Sequence, residues 1–245
     1  MINKELLKIF IYTKDMPFNF PCPTCSKGSI MLFSKDIKKQ KTAEAINSKN
    51  IILKAGYEMF RFVAMPTCNF CSEVITISGA ARFFNELNSQ TDLDYLGEKY
   101  LGFTPIHIYP PLNIISIPTI CPIEIKECLV KSFSHYWYDL AACANTIRNT
   151  LEIMMDIQGI QNQNIKLHDR LKKYQKKDPE NGKLLIAIKW IGNAGSHSQN
   201  LSKDHILHAF ELIETVIDNI YERPEKLIRL HNISDKIIEN KGPIN

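Results

Sequence analysis

Two cysteine pairs constrain this chain more than any other feature. Cys22 and Cys25 lie in CPTCSKG, and Cys68 and Cys71 lie in CNFC. Each C-x-x-C folds into a knuckle that aims two thiolates at one point. Two knuckles together supply the tetrahedral sulfur set that suits Zn²⁺. Four thiolates close the coordination shell, so the metal is expected to be structural rather than catalytic. Gly28 is expected to give the backbone freedom that a knuckle needs just past its second cysteine. Residues 26–67 separate the pairs, more than a minimal zinc ribbon needs, so something is inserted between them. A redox dithiol, or unrelated surface cysteines, are the rival readings of the same residues. Cys121, Cys128 and Cys143 have no partner spacing and read as core packing.

The context of those cysteines matters to the choice. The opening MINKELLKIFIYTKD has a charge inside its apolar run and no small-residue cleavage site, so it does not read as a signal peptide. A cytoplasmic location is therefore expected, where the seven cysteines are better explained by metal and packing than by disulfides. No apolar run approaches the ~18 residues of a membrane span. With 245 residues and 44% hydrophobic side chains the chain can bury a real core, as one large domain or two small ones. A net charge of +4 permits nucleic-acid binding without arguing for it.

Periodicity divides the chain. Residues 3–11 suit a short amphipathic helix. Residues 18–28 are rich in Pro and Cys and read as turns. Strands are expected over 29–33 and over 57–65, where Phe60, Phe62 and Ala64 alternate onto one face. Residues 73–78 read as a return strand. Between them, residues 35–41 are a basic stretch and 42–56 allow no more than a helical turn. The prolines at 105, 110, 111 and 118 mark residues 85–118 as connections. Beyond Pro118 the pattern is helical: 122–133, 139–157 ending at Gly159, 165–175, 179–191, a helix capped by Ser202, and a tail helix after Pro224. The expected class is α+β. A zinc-ribbon-like β module covers residues 1–104, and an antiparallel helical bundle covers 105–245.

Within the bundle, KLLIAIKWIGNAGSH at Lys183 to His197 begins as an apolar helix. Gly192 and Asn193 both tolerate left-handed geometry, so they are expected to end it and leave Ser196 and His197 in a loop. His197 is then either a hydrogen-bonded fastener of two helices or a histidine that moves a proton on a phosphate or hydroxyl. A basic segment stands nearby, with Lys166, Arg170, Lys172, Lys173, Lys176 and Lys177. It is either a solvated helix face or a phosphate-binding surface.

The segment from Pro118 to Tyr221 resembles domain-of-unknown-function family 4145, a helical family related to the HEPN superfamily. The resemblance rests on IYPP at Ile108 to Pro111, IP at Ile117 and Pro118, IRNTLE at Ile147 to Glu152, and IGNAGSH at Ile191 to His197. The cysteine pairs resemble the zinc ribbon often attached to that domain. The resemblance implies a HEPN-like helical bundle, a homodimer, and bacterial genomes in which such domains occur alone or attached to anti-phage defence proteins. Many HEPN relatives are metal-independent ribonucleases that use an Arg a short span before a His. Here that Arg would stand at Trp190, Ile191 or Gly192, and none is an Arg. Lys189 is the nearest cation in the helix, and Arg148, followed one turn on by Glu152, lies on a neighbouring one.

The functional expectation is a zinc-stapled HEPN-like protein that binds nucleic acid, RNA or DNA, or a protein partner in a prokaryotic anti-phage defence or stress system. Lys166, Arg170, Lys172, Lys173 and Lys189 would contact the nucleic acid. The alternatives are a ribonuclease using His197 with Asn193 and Arg148, and a structural adaptor subunit. The aromatic run Phe133, Tyr136, Trp137 and Tyr138 is expected to serve partly as core and partly as a two-fold interface.

Overall fold

The computed structural model describes residues 18–33, 36–47, 58–85, 99–161, 164–197 and 201–243. The helix expected over residues 3–11 lies outside them, as do the side chains of Gly195, Ser196 and His197. The chain forms two compact units, Met1–Asn113 with Phe133–Tyr138, and Ile114–Ser132 with Asp139–Asn245. The architecture is mixed, with strands in two sheets followed by helices.

In the first unit, β1 (Phe18–Pro21) pairs antiparallel with β2 (Ser29–Leu32). Residues 18–21 were expected to be turn. Phe20 is buried, and its pairing with Ile30 outweighs the local Pro and Cys composition. The second sheet is antiparallel in the order β3 (Ile37–Lys41), β4 (Glu58–Ala64), β5 (Thr76–Asn85), β6 (Lys99–Tyr109). The basic stretch is thus an edge strand, and its exposed Lys38, Lys39 and Lys41 discourage further edge pairing. A short helix, α1 (Ala43–Asn47), begins where the Ala45 amide donates to the Thr42 hydroxyl. In β4 the expected alternation holds: Phe62 and Ala64 are buried while Val63 faces out.

Strand β6 corrects the reading of 85–118 as connections. Pro105 lies on an edge strand, opposite Gly79, where the β5–β6 register shifts between Ser78 and Gly79. Edge positions and bulges are where a strand tolerates a residue without an amide hydrogen.

The helices follow as α2 (Ile123–Tyr136), α3 (Leu140–Ile157), α4 (Leu167–Lys177), α5 (Pro179–His197), α6 (Lys203–Ile217) and α7 (Arg223–Asn240). A π-helical turn, Asp218–Glu222, joins the last two. Asp139 caps α3 by accepting from the Ala142 amide at 2.9 Å, and Ser202 caps α6 in a reciprocal box with His205. In the second unit α5 packs against α3, α4 and α6. Helix α7 buries none of its residues.

Helix α5 runs further than expected. Gly192 and Asn193 do not end it; it continues to His197. A Cβ at Gly192 would come within 3.0 Å of the Arg148 Cβ and 3.3 Å of the Ala144 carbonyl oxygen. The glycine is there to let α3 and α5 approach, not to supply a turn.

Cys121 and Cys143 are buried, and the Cys128 thiol donates to the Thr146 carbonyl, as core or half-buried packing requires. Burial pushes the Cys121 thiol up to about 11. Phe133, Tyr136 and Trp137 are all interior, and Tyr138 alone of that run is exposed, its ring beside His107.

Arg170 also turns inward, on the same face of α4 as Leu167, Leu171 and Tyr174. It is 1% exposed and donates to the carbonyls of Ile160 at 2.7 Å and Glu152 at 3.1 Å, and to the Asp156 carboxylate at 2.5 Å. Removing it would strand two carbonyls and open a cavity. Arg170→Ala is expected to cost about 3 kcal/mol in urea unfolding. Lys172→Ala, on the exposed side of α4, should stay within about 0.5 kcal/mol of the parent. Equal effects of the two changes would contradict this division of the helix.

Candidate metal centre

The first knuckle occupies the β1–β2 connection. The Ser26 amide donates to the Cys22 carbonyl at 3.0 Å, and the Cys22 amide donates to the Gly28 carbonyl at 2.9 Å. The second knuckle repeats this: the Ser72 amide donates to the Cys68 carbonyl at 3.2 Å, and the Cys68 amide to the Glu73 carbonyl at 2.8 Å. Ser26 (φ 54) and Ser72 (φ 62) each follow the second cysteine of their knuckle, and both adopt left-handed geometry. The backbone freedom past the second cysteine is thus used at two serines and not at Gly28.

Gly28 does something else. A Cβ there would meet the Cys68 sulfur at 2.5 Å, the Phe70 Cβ at 2.6 Å and the Asn69 side-chain oxygen at 2.7 Å. The missing side chain makes room for the second knuckle. Asn69 then ties the two together, its side-chain oxygen accepting from the Ser29 amide at 2.9 Å while its own amide donates to the Ser29 carbonyl at 3.1 Å. Ile30 and Cys68 form a further isolated antiparallel bridge. The Thr24 hydroxyl donates to the Glu73 carboxylate at 2.9 Å on the outside.

All four cysteine sulfurs lie within 4.8 Å of one another. They meet across the knuckles, with Cys22 to Cys71 at 3.7 Å and Cys25 to Cys68 at 3.8 Å. A tetrahedron of metal–sulfur bonds of ~2.3 Å has edges of ~3.8 Å, so these separations fit a metal at the centre. They are far beyond the ~2.05 Å of a disulfide.

Amide hydrogens prepare the sulfurs for ligation. The Gly28 amide lies 3.4 Å from the Cys25 sulfur, and the Phe70 amide 3.4 Å from the Cys68 sulfur. Donation from the Gly28 and Lys27 amides pulls the Cys25 thiol down to about 6. The Cys71 and Phe70 amides lower Cys68 likewise. The Glu73 amide also pulls Cys71 down, but desolvation and the other three sulfurs outweigh it and push Cys71 up to about 12. Four sulfurs this close resist full ionisation unless a cation sits among them.

The helical candidates are distributed differently. Lys166, Lys172, Lys173, Lys176 and Lys177 are exposed, whereas Arg170 is locked inside. Lys189 is also buried, its ammonium 3.5 Å from the centroid of the Trp190 ring. It lies on the face of α5 that holds Leu185, Ile188 and Gly192, a spacing visible in the sequence. Arg148 pairs with Glu152 at 3.0 Å, one turn on, and touches the Gly192 position. Asn193 is half-buried on α5. The backbone places His197 at the end of that helix rather than in a loop. Ser26, Ser72 and Asn69 could not be found from sequence, because ordinary polar residues there carry no signal. Trp190 and His168, whose rings lie 6.0 Å apart, were also passed over.

Fold and site together define a β unit holding a four-cysteine centre, followed by a helical unit. Residues 131–239, which take in the end of α2, all of α3 to α6 and most of α7, match the model of a family described as Domain of unknown function (DUF4145). No curated protein and no solved structure matches the chain. Among the described residues, no helix is long and apolar enough to cross a membrane.

Gly28→Ala tests the centre without touching a ligand. The added methyl would have to displace Cys68, so the variant should purify with well under half the metal of the parent although all four thiols remain. Full metal retention by Gly28→Ala would show that the knuckles are not held at this distance by the missing side chain.

Proposed function

We propose that this is a cytoplasmic, zinc-stapled, HEPN-like protein whose helical unit binds nucleic acid. We place it in a prokaryotic anti-phage defence or stress system, on the family resemblance alone. The four-sulfur donor set carries the metal half of the reading. All-thiolate tetrahedral sites are typical of structural Zn²⁺, and the paired knuckles with their two-stranded β1–β2 sheet suit a zinc ribbon. Cys22, Cys25, Cys68 and Cys71 would hold the ion. When bound it supplies no open position for catalysis, only cross-linking of segments 43–49 residues apart. Metal analysis is expected to find about one zinc per chain, and Cys25→Ser or Cys68→Ser should leave the β unit unfolded or insoluble, because structural zinc contributes folding free energy directly. Carefully purified protein without zinc would defeat this half of the proposal.

The nucleic-acid half is supported by the exposed Lys172, Lys173, Lys176 and Lys177 on α4, opposed on that helix only by Asp169 among its exposed residues. Such a row favours phosphates over a neutral partner. We take the protein to act as a homodimer, and a partner protein of the defence system remains compatible with the same surface. The ribonuclease alternative draws on one observation. Because α5 stays helical to His197, positions 189, 193 and 197 follow one another at one-turn intervals. Against it, Arg148 is engaged by Glu152, and Lys189 lies buried on Trp190.

Single-stranded RNA tests both readings in one set of assays. Charge reversal at Lys172 and Lys173 should weaken binding and make the salt dependence shallower by about one unit of slope per lost contact. Metal-free cleavage should be weak or absent. Robust cleavage that disappears in His197→Ala would make the protein an enzyme.

A further inference from the structure

We infer that Trp190 is a stacking platform for a base of single-stranded nucleic acid, flanked by lysines that take the adjoining phosphates. The inference rests on the nucleic-acid reading above and gives it a specific site and strand type.

Trp190 is 57% exposed, on a helix whose inner residues Leu185 and Ile188 are completely buried. One exposed aromatic ring is ordinary on a protein surface. This one is unusual in what stands on either side of it. The Lys189 ammonium stands over the ring, 3.5 Å from its centroid, on a residue only 8% exposed. Among the described residues no carboxylate pairs with that ammonium. The ring therefore serves as its electrostatic partner, and the pair fixes the ring in place. The imidazole of His168, from the start of α4, stands at 6.0 Å and tilts 57° to the indole. Its Nδ1 is shielded from solvent and has no hydrogen-bond partner among the described residues.

The surroundings decide the kind of partner. Along α4, positions 168, 172 and 176 follow one another at one-turn steps of ~6 Å, which puts Lys172 and Lys176 in line with His168. On α5, Lys183 lies two turns before Trp190, ~10 Å along the axis. All three lysines are exposed. A flat π-face between cations matches a nucleobase with its phosphates on both sides, the combination by which sequence-tolerant single-strand binders work. A duplex keeps its base faces stacked and offers this ring nothing but its backbone. The exposed lysines at 172, 176 and 183 suit the spaced phosphates of a strand.

The chain contains only two tryptophans, and the other, Trp137, is 6% exposed, so quenching of tryptophan fluorescence reports on Trp190. The full chain should be titrated with short oligouridylate, short oligothymidylate and a mixed-sequence duplex at low salt. The expected result is quenching by both single strands and little by the duplex. Trp190→Ala should lose roughly 5- to 150-fold in single-strand affinity, with Trp190→Phe retaining part of it. Lys172→Glu and Lys183→Glu should also weaken binding and flatten its salt dependence. Single-strand binding without quenching, equally tight in Trp190→Ala, would overturn the platform and leave the nucleic-acid reading standing. No binding of any oligonucleotide by the parent protein would overturn both. Trp190→Ala that turns a dimer into a monomer by light scattering, with oligonucleotide affinity unchanged, would assign the ring to a subunit interface and overturn the platform.

Discussion

The β unit depends on a close approach at Gly28. The second knuckle can lie against the first only because nothing projects from that α-carbon, and the Cys68 sulfur occupies the space a methyl would take. From that contact the rest follows. Asn69 can pair with Ser29, Ile30 can bridge to Cys68, and the four sulfurs come within reach of one ion. The amides that crowd Cys25 and Cys68 favour their thiolates, while the packing of four sulfurs opposes the last ionisation. A bound cation resolves that opposition, which is why the arrangement is better suited to holding metal than to dithiol exchange.

The helical unit uses a comparable device for a different end. At Gly192 the lack of a side chain lets α5 lie close against α3, beside Arg148. Arg170 then ties α4 to the end of α3 and to the segment after it by three hydrogen bonds. At the α4–α5 junction, Asp178 accepts from the Asn181 amide, the Asn181 side chain and the Tyr174 hydroxyl, and Asn181 in turn accepts from Asn219. These polar ties hold the α4–α5 pair in position and leave its other side, with the lysines and Trp190, to solvent.

Local features were the legible ones. The cysteine spacing, the Ser202 cap, the stop at Gly159 (φ 73) and the alternation in β4 can each be read from a few neighbouring residues. Strand β6 was hidden because its right to exist comes from its position at a sheet edge, which excuses Pro105, and the chain order does not reveal edges. Gly192 was misread because a helix stop and a helix crossing ask for the same residue. The buried cations were within reach. Arg170 shares an apolar stripe with Leu167, Leu171 and Tyr174, and Lys189 falls in step with Leu185, Ile188 and Gly192. Charge alone assigns both to the surface, and periodicity assigns both to the core. The sulfur cluster itself was legible, whereas the serines and Asn69 that shape it were not, since their roles lie in backbone geometry and contacts distant in sequence.

The most direct test of this account is the coordination shell of the metal in the purified chain. X-ray absorption at the zinc edge is expected to show four sulfur neighbours at ~2.3 Å and no nitrogen or oxygen. Substitution of Cys71, the exposed one of the four, should remove one sulfur from the shell of whatever metal-loaded protein stays folded. A shell containing nitrogen or oxygen, or protein fully folded with no metal at all, would contradict the claim that these four thiolates meet on one ion and hold the two knuckles together.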